Sequence, residues 1–429
     1  MKTVYKNVNI LNGTRDMVLQ ENMMLTVEDG IIVSIEEAKD TKTNNVIDLQ
    51  GRYLIPGLIN LHIHTPGTGF PKKKESDSTK LARLVMSNRL LQQVGKMICR
   101  NALKTQLLSG TTTVRTVGGL GNFDSQLRDE INSGKTVGPR VFSCDSAVTV
   151  PKGHMEGSVA FGAGTIEEFE QFIENNAKAN VDWIKLMITG GVLDAKVRGE
   201  PGEVKMTAEQ VKACCDKAHS LGLKVCAHVE STKGIILALE NGVDTVEHGA
   251  AMTDEIIRLF KQNDAALVCT ISPAVPLAKF DPSVSKASEI VLYNSEVLLE
   301  GILSGTKKCL ENGITVGLGT DTVCPFITHY DMWRELEYFH KLVGVSRNYA
   351  LHTATLINAS ILGIEKETGS IEVGKSADFI VVDENPLTCG FSTIRKPYLV
   401  HFKNQQFMQP KVKKNEICER ELDKYLASI

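Results

Sequence analysis

The sequence has 429 residues, of which 42% are hydrophobic and 23% are charged. These proportions are typical of a globular protein and exclude a disordered, collagen-like or coiled-coil chain. The 48 Lys and Arg residues nearly balance the 51 Asp and Glu residues and leave a formal net charge of −3. The charge therefore gives no reason to expect nucleic acid or a membrane as a partner.

Alternating runs near both ends of the sequence predict the strands of one small sheet. They lie at residues 5–10, 24–27, 31–35, 378–382 and 398–402, and Asp29-Gly30 is typical of a tight turn between two of them. Neither end holds enough strands to close a core alone. We therefore predict that residues 1–55 and 366–429 form a composite β-sandwich domain.

In the middle of the sequence, apolar β-rich runs alternate with helical patterns. The runs end near residues 62, 115, 142, 185, 226, 246, 268 and 317, and capping boxes at residues 165–168 and 207–210 predict two helix starts. Eight such runs predict an α/β fold with a (β/α)8 TIM-like barrel over residues 56–365. A doubly wound sheet is the alternative, but residues 118–121 (GGLG) fit no phosphate-binding fingerprint. Met86, Leu90, Leu91 and Met97 fit a helix core.

Ten cysteines occur without a CxxC pair, and the N-terminal residues hold no apolar core of signal-peptide length. No window contains 18 consecutive apolar residues. We therefore expect a reduced protein of the cytoplasm.

Histidines and an aspartate stand at the ends of the predicted strands. His62 and His64 are residues i and i+2 of one run, so their side chains share a face. His228, His248 and Asp321 each end a further run. Barrel enzymes place their catalytic groups at the carboxyl ends of strands, and imidazole and carboxylate groups are good metal ligands. Together these five residues predict a metal site.

Lys185 interrupts an apolar run, residues 183–188, whose other members are all expected to be buried. One interpretation is a lysine that extends its ammonium to solvent from the end of a strand. The other is that the neutral amine has reacted with carbon dioxide. The resulting carbamate has two oxygens that can bridge two cations, whereas an ammonium would repel both.

These residues lie in stretches that resemble the amidohydrolase superfamily over nearly the whole chain. The stretches are residues 48–64, 183–191, 227–228, 246–249, 319–321 and 369–383. The pattern at 183–191 is similar to the branch with metal-dependent Xaa-Pro dipeptidases and ochratoxinase-like amidases. This resemblance implies a carboxylated lysine and a binuclear site, and similar proteins commonly form homo-oligomers.

Carried over residue by residue, the resemblance assigns His62, His64, the Lys185 carbamate and Asp321 to one cation. The second cation takes the same carbamate with His228 and His248, and Zn²⁺ suits these ligands best. Two cations lower the pKa of a bridging water, so that hydroxide can attack an amide carbonyl. Asp321 takes the proton of the water and gives it to the leaving nitrogen. We expect a hydrolase of a small amide: a dipeptide-like compound, an N-acyl amino acid or a cyclic amide.

Three further residues are candidates on the substrate side. His154 lies where the branch has a glycine-rich loop with a histidine, and has either a substrate or oxyanion role or a loop-stabilising role. Arg115 could bind a substrate carboxylate, although Thr116 follows it where the branch often has Asp. Glu230 stands where peptidase relatives tend to carry Tyr or His. It either contacts substrate and favours a cationic or N–H-bearing group, or caps the next helix.

Two rival functions are open. A mononuclear aminohydrolase (a deaminase) of a heterocycle would share the histidines and Asp321, but such sites do not use a carboxylated lysine, so Lys185 argues against it. A non-catalytic assembly protein on the same fold would have lost ligands, and none of the expected ligands is missing.

Overall fold

A computed structural model describes residues 2–40, 45–71 and 77–429. In chain order, strands β1 to β18 span Lys2–Ile10, Gln20–Glu28, Ile31–Glu37, Val46–Asp48, Tyr53–Pro56, Leu58–Ile63, Thr111–Thr116, Arg140–Ser143, Ala147–Thr149, Ala160–Gly162, Trp183–Met187, Lys224–Val229, Thr245–His248, Ala266–Cys269, Val316–Leu318, Phe379–Val382, Leu399–Phe402 and Gln405–Met408.

Helices α1 to α15 span Ser78–Met86, Arg89–Leu108, Phe123–Asn132, Ile166–Lys178, Ala208–Ser220, Thr232–Glu240, Asp254–Asn263, Ala274–Lys279, Pro282–Ser285, Glu289–Glu311, Met332–Tyr338, Arg347–His352, Asn358–Leu362, Pro386–Cys389 and Glu416–Leu426. Two π-helical turns, Phe339–Val343 and Thr353–Ile357, and one 3₁₀ turn, Phe391–Arg395, complete the helical segments of the described chain. Both predicted capping boxes are present, at the starts of α4 and α5.

Strands from both ends of the chain share one mixed sheet, as the sequence predicted. Its order is β18-β17-β16-β5-β1-β2-β3, and β4 pairs with β1. The β1–β2 and β5–β16 pairs are antiparallel, whereas β1 runs parallel to β4 and β5. Apolar side chains from both chain ends, among them Tyr5, Leu54 and Phe379, pack into one buried core. Because the two chain ends share this core, neither end has to supply all the strands of a stable sheet.

The middle of the chain forms the expected alternation of strands and helices. Strands β11 to β15 are parallel neighbours in one sheet, and β6, β7 and β8 form a second. Backbone hydrogen bonds connect the two sheets at two places. Asp182 N–H donates to the Ser143 carbonyl at 2.8 Å, and Asp321 N–H donates to the His62 carbonyl at 2.8 Å. Strands β6 to β8 and β11 to β15 are called the strand ring below. The predicted α/β barrel-type fold is confirmed.

The chain divides into two compact units. One comprises residues 1–60, 104–113 and 330–413, and the other comprises residues 61–103, 114–329 and 414–429. These bounds differ from the predicted domains, because residues 56–60, 104–113 and 330–365 belong to the unit with the sheet of chain ends and residues 414–429 belong to the other. None of the helices in the described chain combines the length and the apolar character of a membrane span.

The prediction of a helix core was wrong for Met86, Leu90 and Met97, whereas Leu91 is half-buried. Leu90 is 76% exposed and Met97 50% exposed, and Met86 in α1 is exposed as well. The buried face of α2 is a different stripe that includes Cys99 and Leu103. The helix has two apolar faces, and the periodicity of its sequence does not show which of them packs on the protein.

Candidate active site

The strand ring brings the predicted ligands together at the carboxyl ends of its strands. His62, Lys185, His228 and His248 lie in β6, β11, β12 and β13, and Asp321 follows β15. All five are less than a tenth exposed. His248 and Asp321 have left-handed backbones, with φ of 67° and 52°, which costs about 1–3 kcal/mol at each non-glycine residue. Such strain is typical of functional sites.

The donor atoms form two adjacent groups. In the first, donor atoms of His62, His248 and Asp321 all lie within 4.8 Å of one another, and in the second those of His228, Glu230 and His248 do. Asp321 Oδ1 is 3.5 Å from His62 Nε2 and 3.2 Å from His64 Nε2. Imidazole and carboxylate donors at these separations can hold divalent metal ions, and His248 is common to both groups.

Hydrogen bonds orient each of the four histidines. One ring nitrogen of each has a partner: His62 Nδ1 with Glu247 at 2.7 Å, His64 Nδ1 with the Gly118 carbonyl at 2.8 Å, His248 Nδ1 with Thr270 Oγ1 at 2.7 Å, and His228 Nε2 with the Gly190 carbonyl at 3.3 Å. A nitrogen that donates leaves the other with a lone pair. Metal-binding histidines in proteins are held in this way.

The surroundings of Lys185 are unfavourable for a charged lysine side chain. It is 1% exposed, and Nζ has no hydrogen-bond partner in the described structure. Burial and the positive charge of Lys185 lower the pKa of His62 to about 4. A buried, unpaired ammonium is costly. The donor set therefore fits bound cations with the lysine in an anionic form better than it fits a lysine ammonium alone.

Glu230 is buried beside this site and faces inward. Its Oε2 accepts a hydrogen bond from Val192 N–H at 2.7 Å, and Oε1 lies 4.0 Å from His228 Nε2. Burial raises the pKa of Glu230 to about 8, and the nearby Asp321 and Asp194 charges act in the same direction. Ser231, not Glu230, caps α6 through its hydroxyl. The capping alternative is therefore not what the structure shows.

His154 and Arg115 occupy different environments. His154 stacks on His228 with ring centroids 4.3 Å apart and pairs through Nδ1 with Asp194. Arg115 is completely buried and donates from Nη2 to Glu247 Oε1 at 2.7 Å. Its placement favours a positioning role over the substrate-carboxylate contact expected from the sequence.

Sequence reasoning missed several partners of the candidate site residues, above all Glu247, Thr270, Asp194 and Cys324. Glu247 is 0% exposed, and Arg115 and His62 hold its pKa well below the ordinary value although burial alone would raise it. Cys324 Sγ donates to Asp321 Oδ2 at 3.3 Å. An acid directly before His248, inside the predicted strand, was the signal that could have identified Glu247.

Comparisons with known proteins found relatives that are similar over most of the chain. A candidate prolidase from Bifidobacterium longum has a similar crystal structure, with a TM-score of 0.86 and 34% identity over 99% of this chain and 98% of that one. Ochratoxinase from Aspergillus niger is 25% identical over 405 residues, covering 85% of this chain and 78% of that protein.

A 5-methylthioadenosine/S-adenosylhomocysteine deaminase from Bacillus cereus is 26% identical over 409 residues, 89% of this chain and 86% of that protein. The model of the amidohydrolase family matches residues 53–414. This match covers most of the chain and includes every predicted ligand. The chain therefore belongs to the amidohydrolase family.

Proposed function

We propose that the protein hydrolyses an amide C–N bond of a small molecule at a site for two divalent cations, with Lys185 carboxylated between them. The observation that carries this proposal is the buried Lys185 Nζ, which lacks a hydrogen-bond partner in the described structure. A carbamate would replace an uncompensated positive charge with an anion that has two donor oxygens. Two oxygens match two donor groups that share a histidine.

The proposed division of ligands is the one that the resemblance implies, and it overlaps the two donor groups without matching them. His62, His64, Asp321 and the Lys185 carbamate would hold one cation, and His228, His248 and the same carbamate would hold the other. Zn²⁺ is the proposed metal because imidazole and carboxylate ligands suit it. Bound there, divalent cations supply Lewis acidity toward the scissile carbonyl and lower the pKa of a bound water.

Asp321 is the proposed proton carrier. Its carboxylate takes a proton from the attacking water and delivers it to the leaving nitrogen, which would otherwise depart as an unstable anion. The thiol of Cys324 holds Oδ2, so Oδ1 is the oxygen that faces His62 and His64. This arrangement keeps Oδ1 of Asp321 on the side of the proposed metal site.

On the substrate side, His154 is proposed to contact the carbonyl oxygen or the adjacent part of the substrate. Asp194 accepts from its Nδ1, so Nε2 is the nitrogen that remains for a substrate. Glu230 is proposed to favour substrates with an amine or N–H over those with a free carboxylate. The carboxyl lies near two histidines, His228 and His248, and its ionised form would be stabilised by a cationic substrate group and would repel an anionic one.

Deamination of a heterocycle is the second candidate, and the relative named as a deaminase favours it. Metal analysis and a substrate screen distinguish the two. Two zinc ions per chain and turnover of dipeptides, N-acyl amino acids or lactams support amide hydrolysis. One metal per chain and ammonia release from heterocycles would contradict it. A cytoplasmic homo-oligomer is part of the same proposal, and sedimentation velocity of the purified protein measures its assembly.

A further inference from the structure

Glu247 forms a hydrogen bond with His62, although the proposed reaction gives Glu247 no chemical step. It lies in β13 directly before His248, and its side chain has no exposed surface. Oε2 accepts from His62 Nδ1 at 2.7 Å, while Oε1 accepts from Arg115 Nη2 at 2.7 Å and from Thr245 Oγ1 at 2.6 Å. With both oxygens engaged, the carboxylate cannot rotate without losing a charge-assisted hydrogen bond.

Arg115 connects this carboxylate to the rest of the strand ring. Its Nε donates at 2.8 Å to the carbonyl of Leu61, the residue directly before His62. Its guanidinium also lies over the ring of Trp183, 4.6 Å from the centroid. Arg115 in β7 thus contacts β6, β11 and β13. It holds His62 twice, through the preceding carbonyl and through Glu247.

The hydrogen bond from His62 to Glu247 determines the tautomer of the His62 ring. A carboxylate oxygen accepts, so Nδ1 must carry the proton and Nε2 must present its lone pair. That lone pair belongs to the nitrogen 3.5 Å from Asp321 Oδ1, on the side of the donor groups. The other tautomer would place an N–H where a ligand is needed, and a ring that turned over would place a C–H there.

We infer that Glu247 and Arg115 are positioning residues that fix the tautomer and orientation of His62 for one of the two cations. This inference rests on the proposed function, since it assigns His62 to a metal. Glu247 pairs with His228 through the backbone of the sheet. Among the predicted histidine ligands, however, the side chains of the pair hydrogen-bond only to His62 in the described structure, so their loss should affect one cation more than the other. Partners of metal ligands typically contribute about 10- to 100-fold in metal affinity.

The first experiment needs no metal. Long-range ¹H–¹⁵N spectra of metal-free protein with ¹⁵N-labelled histidine report the tautomer of His62, whose signals are assigned with His62→Gln. The parent should show the Nδ1–H tautomer, and Glu247→Gln should show a mixed or changed tautomer. An Nε2–H tautomer in the parent, or an unchanged ring in the variant, overturns the inference whether or not the proposed metal site is right.

The second experiment is a zinc titration against a competing chelator. Glu247→Gln should weaken one of two zinc ions about 10- to 100-fold and leave the other within about twofold, and Arg115→Met should do the same to a smaller degree. Equal weakening of both ions, or none, overturns the inference. A parent protein that binds fewer than two zinc ions overturns the proposed function instead.

A matched control separates positioning from the general loss of a buried ion pair. Arg128 is also buried and pairs with Asp182 at 2.7 Å, so Arg128→Met should leave both zinc affinities and the His62 tautomer unchanged. If Glu247→Gln does not fold, Arg115→Lys keeps the positive charge but loses the forked donors. It should still weaken one zinc ion several-fold, and unchanged zinc binding in that variant contradicts the inference.

Discussion

Replacing Glu230 by glutamine should stabilise the metal-free protein, and the gain should grow with pH. Burial raises the carboxyl pKa from an ordinary 4.5 to about 8. Since the folded pKa lies above the unfolded one, the unfolded chain releases this proton first, and the folded state loses stability as pH rises from 4.5 to 8. Glutamine is neutral and can still accept from Val192 N–H through its amide oxygen.

The expected gain follows from the two pKa values. Their difference of about 3.5, at about 1.4 kcal/mol for each pKa unit, gives at most about 5 kcal/mol at pH 8 and above. At pH 6 the difference from 4.5 is about 1.5, which gives about 2 kcal/mol by the same conversion. Below pH 4.5 the gain should vanish, because the carboxyl is then protonated in both states.

Urea unfolding of chelator-treated protein at pH 5, 6 and 9 measures these free energies. Glu240→Gln, at the exposed end of α6, is the matched control and should change none of them. A Glu230→Gln gain that is equal at pH 5 and pH 9, or a net loss at pH 9, would refute the reasoning. Added zinc should stabilise the parent more than the variant, because a cation relieves the buried charge.

Three further predictions test the site. Lys185→Ala should lose bound metal and nearly all turnover, with partial recovery from small carboxylic acids; metal content and kcat measure both. Across matched cationic and anionic substrates, Glu230→Gln should reduce the preference for the cationic member in kcat/KM, whereas equal effects on all substrates would contradict direct contact. A Cβ on Gly319 would lie 2.4 Å from His62 Cβ, so Gly319→Ala should overpack the site at a cost of about 1–3 kcal/mol. The variant should have a Tm lower by several degrees and should bind metal more weakly. Gly164→Ala is the control and should change neither property, because the nearest atom to its added Cβ is 3.4 Å away.

The sequence was sufficient to predict which side chains the fold brings together, because each of them lies in or directly after a recognisable strand. His62, His228 and Asp321 all end apolar runs, and the carboxyl ends of parallel strands meet at one face of a barrel. The sheet of chain ends was predictable for a similar reason, since neither end could complete a core. Both predictions follow from local sequence patterns together with a general rule of strand topology.

Glu247 could not be predicted from strand alternation, because it directly precedes His248 and would point to the opposite face of a regular strand. The left-handed backbone of His248, with φ of 67°, interrupts the alternation. Both side chains consequently reach His62, Glu247 through a hydrogen bond and His248 at 4.7 Å between ring centroids. A positive φ at a histidine has no signal in the sequence.

Arg115 illustrates a second limit. Its position at a strand end suggested a substrate contact, but its partner Glu247 is 132 residues away in the chain. Only the fold shows that the guanidinium points into the strand ring. The exposed face at Leu90 and Met97 has the same origin, because which stripe of a helix packs depends on neighbours distant in sequence.

Lys185 is proposed to carry a carbamate between two cations. Protein reconstituted with zinc and ¹³C-bicarbonate should show one carbamate carbon resonance in its ¹³C spectrum, with two zinc ions per chain. Lys185→Ala treated identically should lack that resonance and should bind less zinc. A parent protein that holds two zinc ions and is active, but shows no carbamate resonance, would contradict the account.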